Sequence, residues 1–437
     1  MTYRSSEAVW KAVALRTGDM QRFTHIDCQE NPDEHLRTWL QRLRPAGNRP
    51  YRRCLHPTQC VFSTATPIAP NDEVTRITAG GNHTLLLTKQ GHVYAAGCND
   101  DGRCGPAASA ARDKSVQTSN EANLLHFRRL VLPDPASGSH IETFKCISAT
   151  WEGTILVASV PCPPSDSGRS MPVSTDRVFV LGSTPKGELG LGESAQSTPP
   201  SPGTCIPDFP PSGTDVIGLA SGMGHTVAIL SSGEVYGWGG ARKGQLGEGS
   251  KARKIVWSPT RVDGIPFHAM GAVCGREFTV VLGRPGRGEF IVLGDPANRW
   301  GVLRIPDALR YDPVPAAGVG YLDIGASWHA ARGRSAGSEW FTFPSCMGRD
   351  DRGQLPPKNL PSVRNLAVGS EHALALLKDG SVAAFGWGEH GNCGPDTDPR
   401  GNVAGEYKVI PLPHAGLGDR KIVNVGAGCA TSWLMVK

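Results

Sequence analysis

A short phrase recurs along the chain and constrains its fold more than any other feature. It consists of a strand, a glycine, two or three small residues, His-Thr or His-Ala, and an apolar-polar alternation that ends at a glycine turn. Its clearest copies are residues 79–84, 221–226 and 368–373. A phrase that returns at a nearly constant period predicts a repeat architecture. Such folds offer broad faces built from loops, which favours binding over catalysis.

The spacing of the phrase predicts a β-propeller. The intervals between successive copies run from 43 to 72 residues, and a four-stranded blade needs roughly 40–50. We therefore expect insertions in the Pro/Ser-rich stretches 106–139, 161–176 and 193–213, as surface loops that bury little. Taking the His of the phrase as anchor gives seven positions: His83, Gly153, His225, Phe278, His329, His372 and Ala430.

A second phrase closes each repeat with an apolar strand, a glycine, a loop and a Gly-x-x-Gly-like turn. We count six copies, and their glycines allow positive φ and close approach of backbones. They begin at Gly97, Gly182, Gly239, Gly294, Gly348 and Gly388.

The first phrase occurs seven times and the second phrase six times, so the last blade lacks a partner strand. That strand must come from the N-terminus, because an open propeller leaves an unpaired edge. We predict an N-terminal extension over residues 1–72, partly helical or disordered, and a seven-bladed all-β propeller over 73–437. Residues 32–44 show a helical leucine stripe, and residues 59–64 are a candidate closing strand. The manner of closure stays open.

Composition narrows the class of protein. The chain has 437 residues, a mild formal net charge of +5 and 12 cysteines in no regular framework. No apolar run of about 18 residues occurs, so we expect no membrane span, and the first residues show no secretory signal. Reduced thiols predict a cytoplasmic or also nuclear protein. The mild charge gives no reason to expect direct nucleic-acid binding.

The paired phrases resemble the regulator-of-chromosome-condensation repeat, a seven-bladed propeller, over about residues 74–437. Residues 386–394, with the ending 426–433, look more narrowly like the fungal α-tubulin suppressor, or killer-toxin-insensitivity, subgroup. That resemblance implies a non-enzymatic adaptor without cofactors. It implies a heterodimer with a small zinc-binding electron carrier, which supports diphthamide synthesis and Elongator-dependent modification of the tRNA wobble uridine. Members of the subgroup open directly on a propeller strand, and residues 1–72 depart from this.

Two alternatives come from the same fold. One is a guanine-nucleotide exchange factor for a Ran-like GTPase on chromatin, although the N-terminal segment is mixed in charge rather than basic. The other is light sensing through a tryptophan cluster, which would need repeated Gly-Trp-Arg-His-Thr phrases that do not occur.

The repeated histidines favour a structural role. They are His83, His225, His329 and His372. Because each occupies the same repeat slot, they are spread around a ring, whereas a zinc site needs about four convergent ligands. A neutral imidazole can instead link the backbones of adjacent blades.

No metal site is predicted. The best candidates by residue type lie in the N-terminal extension, but their spacings do not match the usual zinc forms. They are His25, Cys28, Cys54, His56 and Cys60. Cys98, Cys104 and Cys393 lie in Gly-rich turns and are interpreted as small turn residues rather than nucleophiles.

The candidate partner-binding residues are aromatic and charged side chains near strand ends. Trp238 and Trp387 stand in similar Gly-Trp-Gly phrases, so blade core and propeller mouth are both open to them. Glu389 and His390 follow Trp387 in a loop. Arg242 begins a basic stretch that would contact tRNA or an acidic protein, or would simply be solvated.

Overall fold

The computed structural model shows an all-β molecule. It describes residues 14–15, 68, 72–106, 123–134, 137–161, 174–183, 185–195, 200–284, 287, 289–297, 301–304, 321–326, 330–335, 345–394, 396–410 and 421–436. Three expectations lie outside these residues: the helix over 32–44, the closing strand over 59–64, and the N-terminal His/Cys set.

The strands of the first half form three sheets and a ribbon, after a short strand β1 (Ala14–Leu15). The first sheet has β2 (Val74–Ala79), β3 (His83–Thr88), β4 (Val93–Cys98) and β5 (Asn123–Arg129), and the ribbon has β6 (Leu132–Pro133) and β7 (His140–Ile141). The second sheet has β8 (Cys146–Ala149), β9 (Gly153–Pro161) and β10 (Ser174–Gly182). The third has β11 (Val216–Ser221), β12 (His225–Leu230), β13 (Val235–Gly240) and β14 (Ile255–Arg261), with a short helix α1 (Glu248–Lys251) before β14.

Four further sheets follow along the chain. The fourth has β15 (Gly271–Cys274), β16 (Phe278–Leu282) and β17 (Phe290–Gly294), and the fifth has β18 (Tyr321–Ala326), β19 (Ala330–Ser335) and β20 (Ser345–Gly348). The sixth has β21 (Val363–Val368), β22 (His372–Leu377), β23 (Val382–Trp387) and β24 (Asn402–Val409). The seventh has β25 (Ile422–Ala427), β26 (Ser432–Val436) and β1, and two single-turn 3₁₀ helices span Glu193–Ala195 and Val302–Arg304.

The sheets follow one another around a ring. The innermost strand of each sheet contacts the innermost strand of the next, in the order β2, β8, β11, β15, β18, β21 and β25, and β25 contacts β2 again. Three of the second strands, β3, β12 and β22, are buried at every residue. They read as continuous apolar runs because neighbouring sheets cover both of their faces.

The junction between the last and first sheets is apolar. The rings of Phe127 and Trp433 lie 5.4 Å apart, and Ile68, Tyr94 and Met435 belong to the same buried cluster. β1 adds two residues beside β26, in parallel. The N-terminal extension therefore contributes to closure through β1. The candidate strand over residues 59–64 stays a prediction. The count of seven blades stays a prediction, because four of the sheets have only three described strands.

The strand register corrects two of the seven anchors. His83 pairs with Gly97 and His225 with Gly239, but in the fifth sheet it is Ala330 that pairs with Gly348. His329 therefore precedes the slot by one residue, and it also lies outside the described residues. In the seventh sheet the pair Ala427–Ser432 places Thr431, not Ala430, in the slot.

The stretches expected to be loops contribute to the core. Residues 106–139 include β5, and the side chain of Phe127 on that strand is fully buried. Ile206 and Phe209, between residues 193 and 213, are buried as well. For these two stretches the expectation that they bury little was wrong, since their Pro/Ser-rich composition concealed a few large apolar residues. Most of the third stretch, 161–176, lies outside the described residues. No helix in the described part is long and apolar enough to cross a membrane.

Candidate partner-binding face

Two sets of loops meet on one face of the ring. Because strands within a sheet alternate in direction, the turn after the first strand and the loop after the third strand lie at the same end. Backbone hydrogen bonds join them: Cys98 N donates to Asn82 O at 2.8 Å, and Gly240 N donates to Gly224 O at 2.7 Å. We call this surface the loop face. The turns after the second strands form the opposite face.

The loop face surrounds the mouth of the central cavity. The ends of the innermost strands and the turns that follow line this cavity, and Trp151, Met223 and Cys429 stand at its rim. Backbone bonds link the rim from sheet to sheet, since Gly81 N donates to Trp151 O and Trp151 N donates to Met223 O. Backbone hydrogen bonds therefore join neighbouring turns around the mouth.

Three of the predicted structural histidines tie adjacent sheets together. His83 Nε2 lies 2.9 Å from Thr154 Oγ1, and His225 Nε2 lies 2.9 Å from Thr279 Oγ1. His372 Nε2 lies 3.1 Å from Ser432 Oγ. Each hydroxyl belongs to the next sheet, and all three rings are buried. These three residues join adjacent sheets as the sequence indicated, but they do so through side-chain hydroxyls and not through the backbone groups that we expected.

The hydroxyl partners identify the histidine tautomer. Thr154 Oγ1 donates to Arg103 O and Thr279 Oγ1 donates to Gln245 O, both at 2.7 Å. A hydroxyl has one hydrogen, so Nε2 of His83 and of His225 must be the donor in the other bond. Burial lowers the pKa of His83 to about 3, with a further contribution from Arg103, and burial lowers the pKa of His225 to about 4. Both rings are neutral at physiological pH.

The invariant spacing of glycine and histidine within the phrase has a steric cause. A Cβ on Gly222 would lie 2.0 Å from Gly275 O in the next sheet and 2.7 Å from His225 Cε1. A Cβ on Gly80 would be similarly close to Thr150 O and to the His83 ring. The glycine lets the imidazole and the neighbouring backbone come together.

Trp238 is not a contact residue. Its side chain is fully buried, its Nε1 donates to Glu188 O at 2.8 Å, and Phe209 packs edge-on against it. The similar phrases suggested that Trp238 and Trp387 are equivalent, but the two tryptophans differ in register. Trp238 pairs with Thr226, whereas Trp387 lies one residue beyond Gly386, which pairs with His372.

Trp387 lies half-buried on the loop face with the other two predicted residues of its loop. Its Nε1 donates to Glu389 Oε2 at 3.1 Å, and its ring meets the His390 ring edge-on at 4.8 Å. The guanidinium carbon of Arg352 stands 5.2 Å from the ring centroid, within cation–π range. Glu389 and His390 are exposed. The result is an aromatic platform edged by charged and polar groups.

The platform is held by the histidine network. Ser432 Oγ, which contacts His372, donates to Asn392 O, and Asn392 Nδ2 donates to Trp387 O, both at 2.7 Å. Arg352 also pairs with the buried carboxylate of Glu371. The loop that presents Trp387 is therefore fixed by the second strands of two sheets rather than by its own chain alone.

The sequence reasoning missed the role of Glu371. Glu152, Glu277 and Glu371 each stand directly before an anchor slot, and each faces a cation in the loop of the preceding sheet. Glu371 pairs with Arg349 at 3.3 Å and with Arg352. Glu277 is one of the acidic groups that raise the pKa of Lys243, after Asp295. The signal that could have shown this was the repeated Glu before the anchor.

Arg242 is exposed on the loop face, as expected of a contact residue. It lies in the loop between β13 and β14, in a different sheet from Trp387. Its neighbour Lys243 pairs with Asp295 of the fourth sheet at 2.9 Å. The structure thus places the five candidate contact residues in three settings: a buried core, the Trp387 platform and a separate basic loop.

The three cysteines of the Gly-rich turns are buried. Burial raises the pKa of the thiols of Cys98, Cys104 and Cys393, so little of the reactive thiolate forms at neutral pH. Within the described residues, no group of three or more His, Cys, Asp or Glu side chains could hold a metal ion.

Family models match the repeats at the sites the phrases predicted. Models of the regulator of chromosome condensation (RCC1) repeat match residues 232–282, and residues 74–103, 216–245 and 363–392. An RCC1 repeat-containing protein of Schizosaccharomyces pombe is 30% identical over 373 residues, which cover 85% of this chain and 92% of that protein. The chain belongs to the RCC1-repeat family. The predicted family is thereby confirmed.

More distant RCC1 proteins share the fold. The human regulator of chromosome condensation is 24% identical over 84% of this chain and 83% of its own length. The structure of yeast RCC1 (Prp20), bound there to Kap60, matches with a TM-score of 0.56 at 18% identity, covering 82% of this chain and 79% of that one. The molecule is an all-β propeller of the RCC1 type.

Proposed function

We propose that this RCC1-repeat propeller is a non-enzymatic adaptor that binds a partner protein through its loop face. The observation that supports this most is the Trp387 platform. Tryptophan and arginine are the side chains most enriched in interface hot spots, and Arg352 lies over the indole at 5.2 Å. A platform fixed before binding loses little conformational freedom when a partner arrives.

We further propose that the partner is a small zinc-binding electron-carrier protein in a one-to-one heterodimer. The support is the resemblance of residues 386–394 to the fungal α-tubulin suppressor subgroup. The pair would support diphthamide synthesis and Elongator-dependent tRNA wobble-uridine modification, with the Elongator complex as a further partner. The propeller would be a closed ring of seven blades, located in the cytoplasm and also in the nucleus.

A calorimetric titration with that zinc-binding protein tests the proposal. We expect one-to-one binding that Trp387→Ala weakens by about 2 kcal/mol, or roughly thirtyfold, as for a hot-spot residue. Glu389→Ala should weaken it less, because the carboxylate orients the indole from an exposed position. Tyr407→Ala, at a half-buried aromatic of β24, is the matched control and should leave the affinity unchanged.

The second candidate is a guanine-nucleotide exchange factor for a Ran-like GTPase on chromatin. Its support is the similarity to the human regulator of chromosome condensation over most of both chains. Stimulated release of labelled nucleotide from Ran would favour this function. If the folded protein binds the zinc-binding protein and leaves nucleotide release unchanged, the adaptor proposal stands. If it accelerates release and ignores the zinc-binding protein, the adaptor proposal fails.

A further inference from the structure

We propose that the loop face contains a docking site for an acidic segment of a partner protein, in a different part of the face from Trp387. The site consists of Lys186, Arg242, Arg253 and Lys254, and we call it the basic sector. All four side chains are exposed. The inference goes beyond the adaptor proposal, because it depends neither on Trp387 nor on the identity of the partner bound there.

Backbone contacts bring the four residues onto one surface. Ala241 N donates to Lys254 O at 2.8 Å, which sets Arg242 beside Lys254. Lys186 belongs to the neighbouring loop of the second sheet, whose Gly187 packs against β14. A Cβ on Gly187 would lie 2.9 Å from Ile255 Cγ2, directly after Lys254. The cations therefore lie on two loops in direct contact.

The cations of the basic sector are not paired with carboxylates in the described part of the chain. Elsewhere on the loop face, Arg103 pairs with Asp101, Lys243 with Asp295, and Arg352 with Glu371. Within the part of the chain that the structure describes, none of the four residues of the basic sector forms an ion pair. Exposed charges that lack a local partner are available to a complementary surface, which they attract over about one screening length.

Lys254 is also held in an uncommon backbone conformation. Its φ is +62°, in the left-handed region that side chains other than Gly, Asn and Asp rarely adopt. Bonds from Lys254 N to Lys251 O and from Ala241 N to Lys254 O fix it. The turn therefore keeps the lysine at the base of the loop, in a defined place beside Arg242.

The surrounding carboxylates favour an acidic polypeptide over a nucleic acid. Glu193, Glu248 and Asp263 are exposed on the same loops or beside them. A nucleic-acid strand carries a charge about every 3.4 Å and cannot change this spacing, so carboxylates on these loops disfavour it. A peptide segment can place its carboxylates only where the cations stand.

Fluorescence anisotropy with a labelled probe tests the proposal on the full chain. The probe is a peptide of about 16 residues containing Glu, Asp, Gly and Ser. The variant is Arg242→Glu/Lys254→Glu. The matched control is Lys89→Glu/Arg364→Glu, which changes the net charge equally at exposed positions of the turn after β3 and the start of β21, away from the loop face. Circular dichroism confirms that each variant is folded.

We expect the basic-sector variant to weaken peptide binding at least tenfold and the control to weaken it less than twofold. Binding should also fall steeply as salt rises from about 0.05 to 0.5 M. Equal losses in the two variants would overturn the proposal, as would a wild-type protein that ignores the peptide. A single-stranded RNA of the same length that binds more tightly, with the same sensitivity to the variants, would overturn the acidic-polypeptide assignment.

Discussion

The histidine–hydroxyl pair shows how single residues join this propeller. His83, His225 and His372 each face a Thr or Ser of the next sheet. Where the anchor slot holds Phe278 instead, the corresponding position of the next sheet is Ala331, by the register of β19. The histidine–hydroxyl pair thus occupies three of the seven slots, and at the Phe278 slot both positions hold apolar residue types. Replacing both partners of a buried hydrogen bond together is far less costly than replacing one.

Thr279→Ala is expected to destabilise the fold by about 1–3 kcal/mol, because it leaves a buried imidazole N–H without an acceptor. His225→Phe/Thr279→Ala places the residue types of positions 278 and 331 at this slot and should recover part of that loss, because both polar partners are removed together. Urea unfolding of the wild type, both single variants and the double variant measures the coupling. Additive losses would contradict the account of the pair.

Buried neutral histidines also predict a pH dependence. His83 and His225 have pKa values of about 3 and 4 in the folded protein, against about 6.5 in an unfolded chain. Below pH 6.5 the unfolded chain binds protons that the folded protein does not. Stability is therefore complete above 6.5 and falls as the pH drops towards 4, by up to about 1.4 kcal/mol per pH unit for each histidine.

The variant His225→Phe/Thr279→Ala should flatten this slope by removing one of the titrating groups. Urea midpoints measured from pH 7.5 to 4.5 test it. A slope identical to that of the wild type would show that His225 is not buried and neutral.

At the scale of elements, the sequence predicted the repeating turns and strands because their causes are local. The Gly-x-x-His phrase reflects the overlap of Gly222 with the imidazole and with the neighbouring backbone. Register is less local. The two Gly-Trp-Gly phrases look alike, but Trp238 and Trp387 occupy different positions relative to the anchor pair. Counting from the anchor would have separated them, because Gly97, Gly239 and Gly386 each lie 14 residues after their histidine. Trp238 precedes this glycine and is buried, whereas Trp387 follows it and is half-buried.

Any side chain at the glycine of the turn after the first strand is expected to destabilise the fold. Gly222→Ala should destabilise the protein by about 1–3 kcal/mol, as overpacking does, because its Cβ would lie 2.0 Å from Gly275 O. Gly271→Ala is the matched control, since its nearest neighbour, Leu282 Cδ1, is 4.0 Å away. Thermal unfolding of both variants provides the comparison, and equal melting temperatures would contradict the steric account.

At the scale of the whole molecule, closure was the least predictable feature. The sequence indicated that the N-terminus must help, and β1 beside β26 agrees with this. The specific partner strand could not be read from the sequence, because two residues, Ala14 and Leu15, have no distinctive pattern. The apolar junction depends on residues far apart in the sequence. Phe127 lies in a stretch whose composition predicts a loop, and Trp433 lies near the C-terminus.

The junction should behave as one cooperative contact. Phe127→Ala is expected to cost about 3–5 kcal/mol as a buried aromatic deletion and to speed amide exchange in both β2–β4 and β25–β26. Trp433→Phe keeps an aromatic ring and removes a buried Nε1 that has no hydrogen-bond partner, so it should cost less than about 1.5 kcal/mol. Faster exchange in only one of the two sheets would contradict closure through this cluster.

The claim that the loop face is the binding face is tested most directly by hydrogen exchange of the full chain, with and without saturating zinc-binding partner. We expect protection in peptides that contain residues 349–353 and 387–394, around Arg352 and Trp387. Turns after the second strands, such as residues 88–92 and 230–234, should remain unchanged. Protection of those turns alone, or no protection when binding is saturated, would contradict the account.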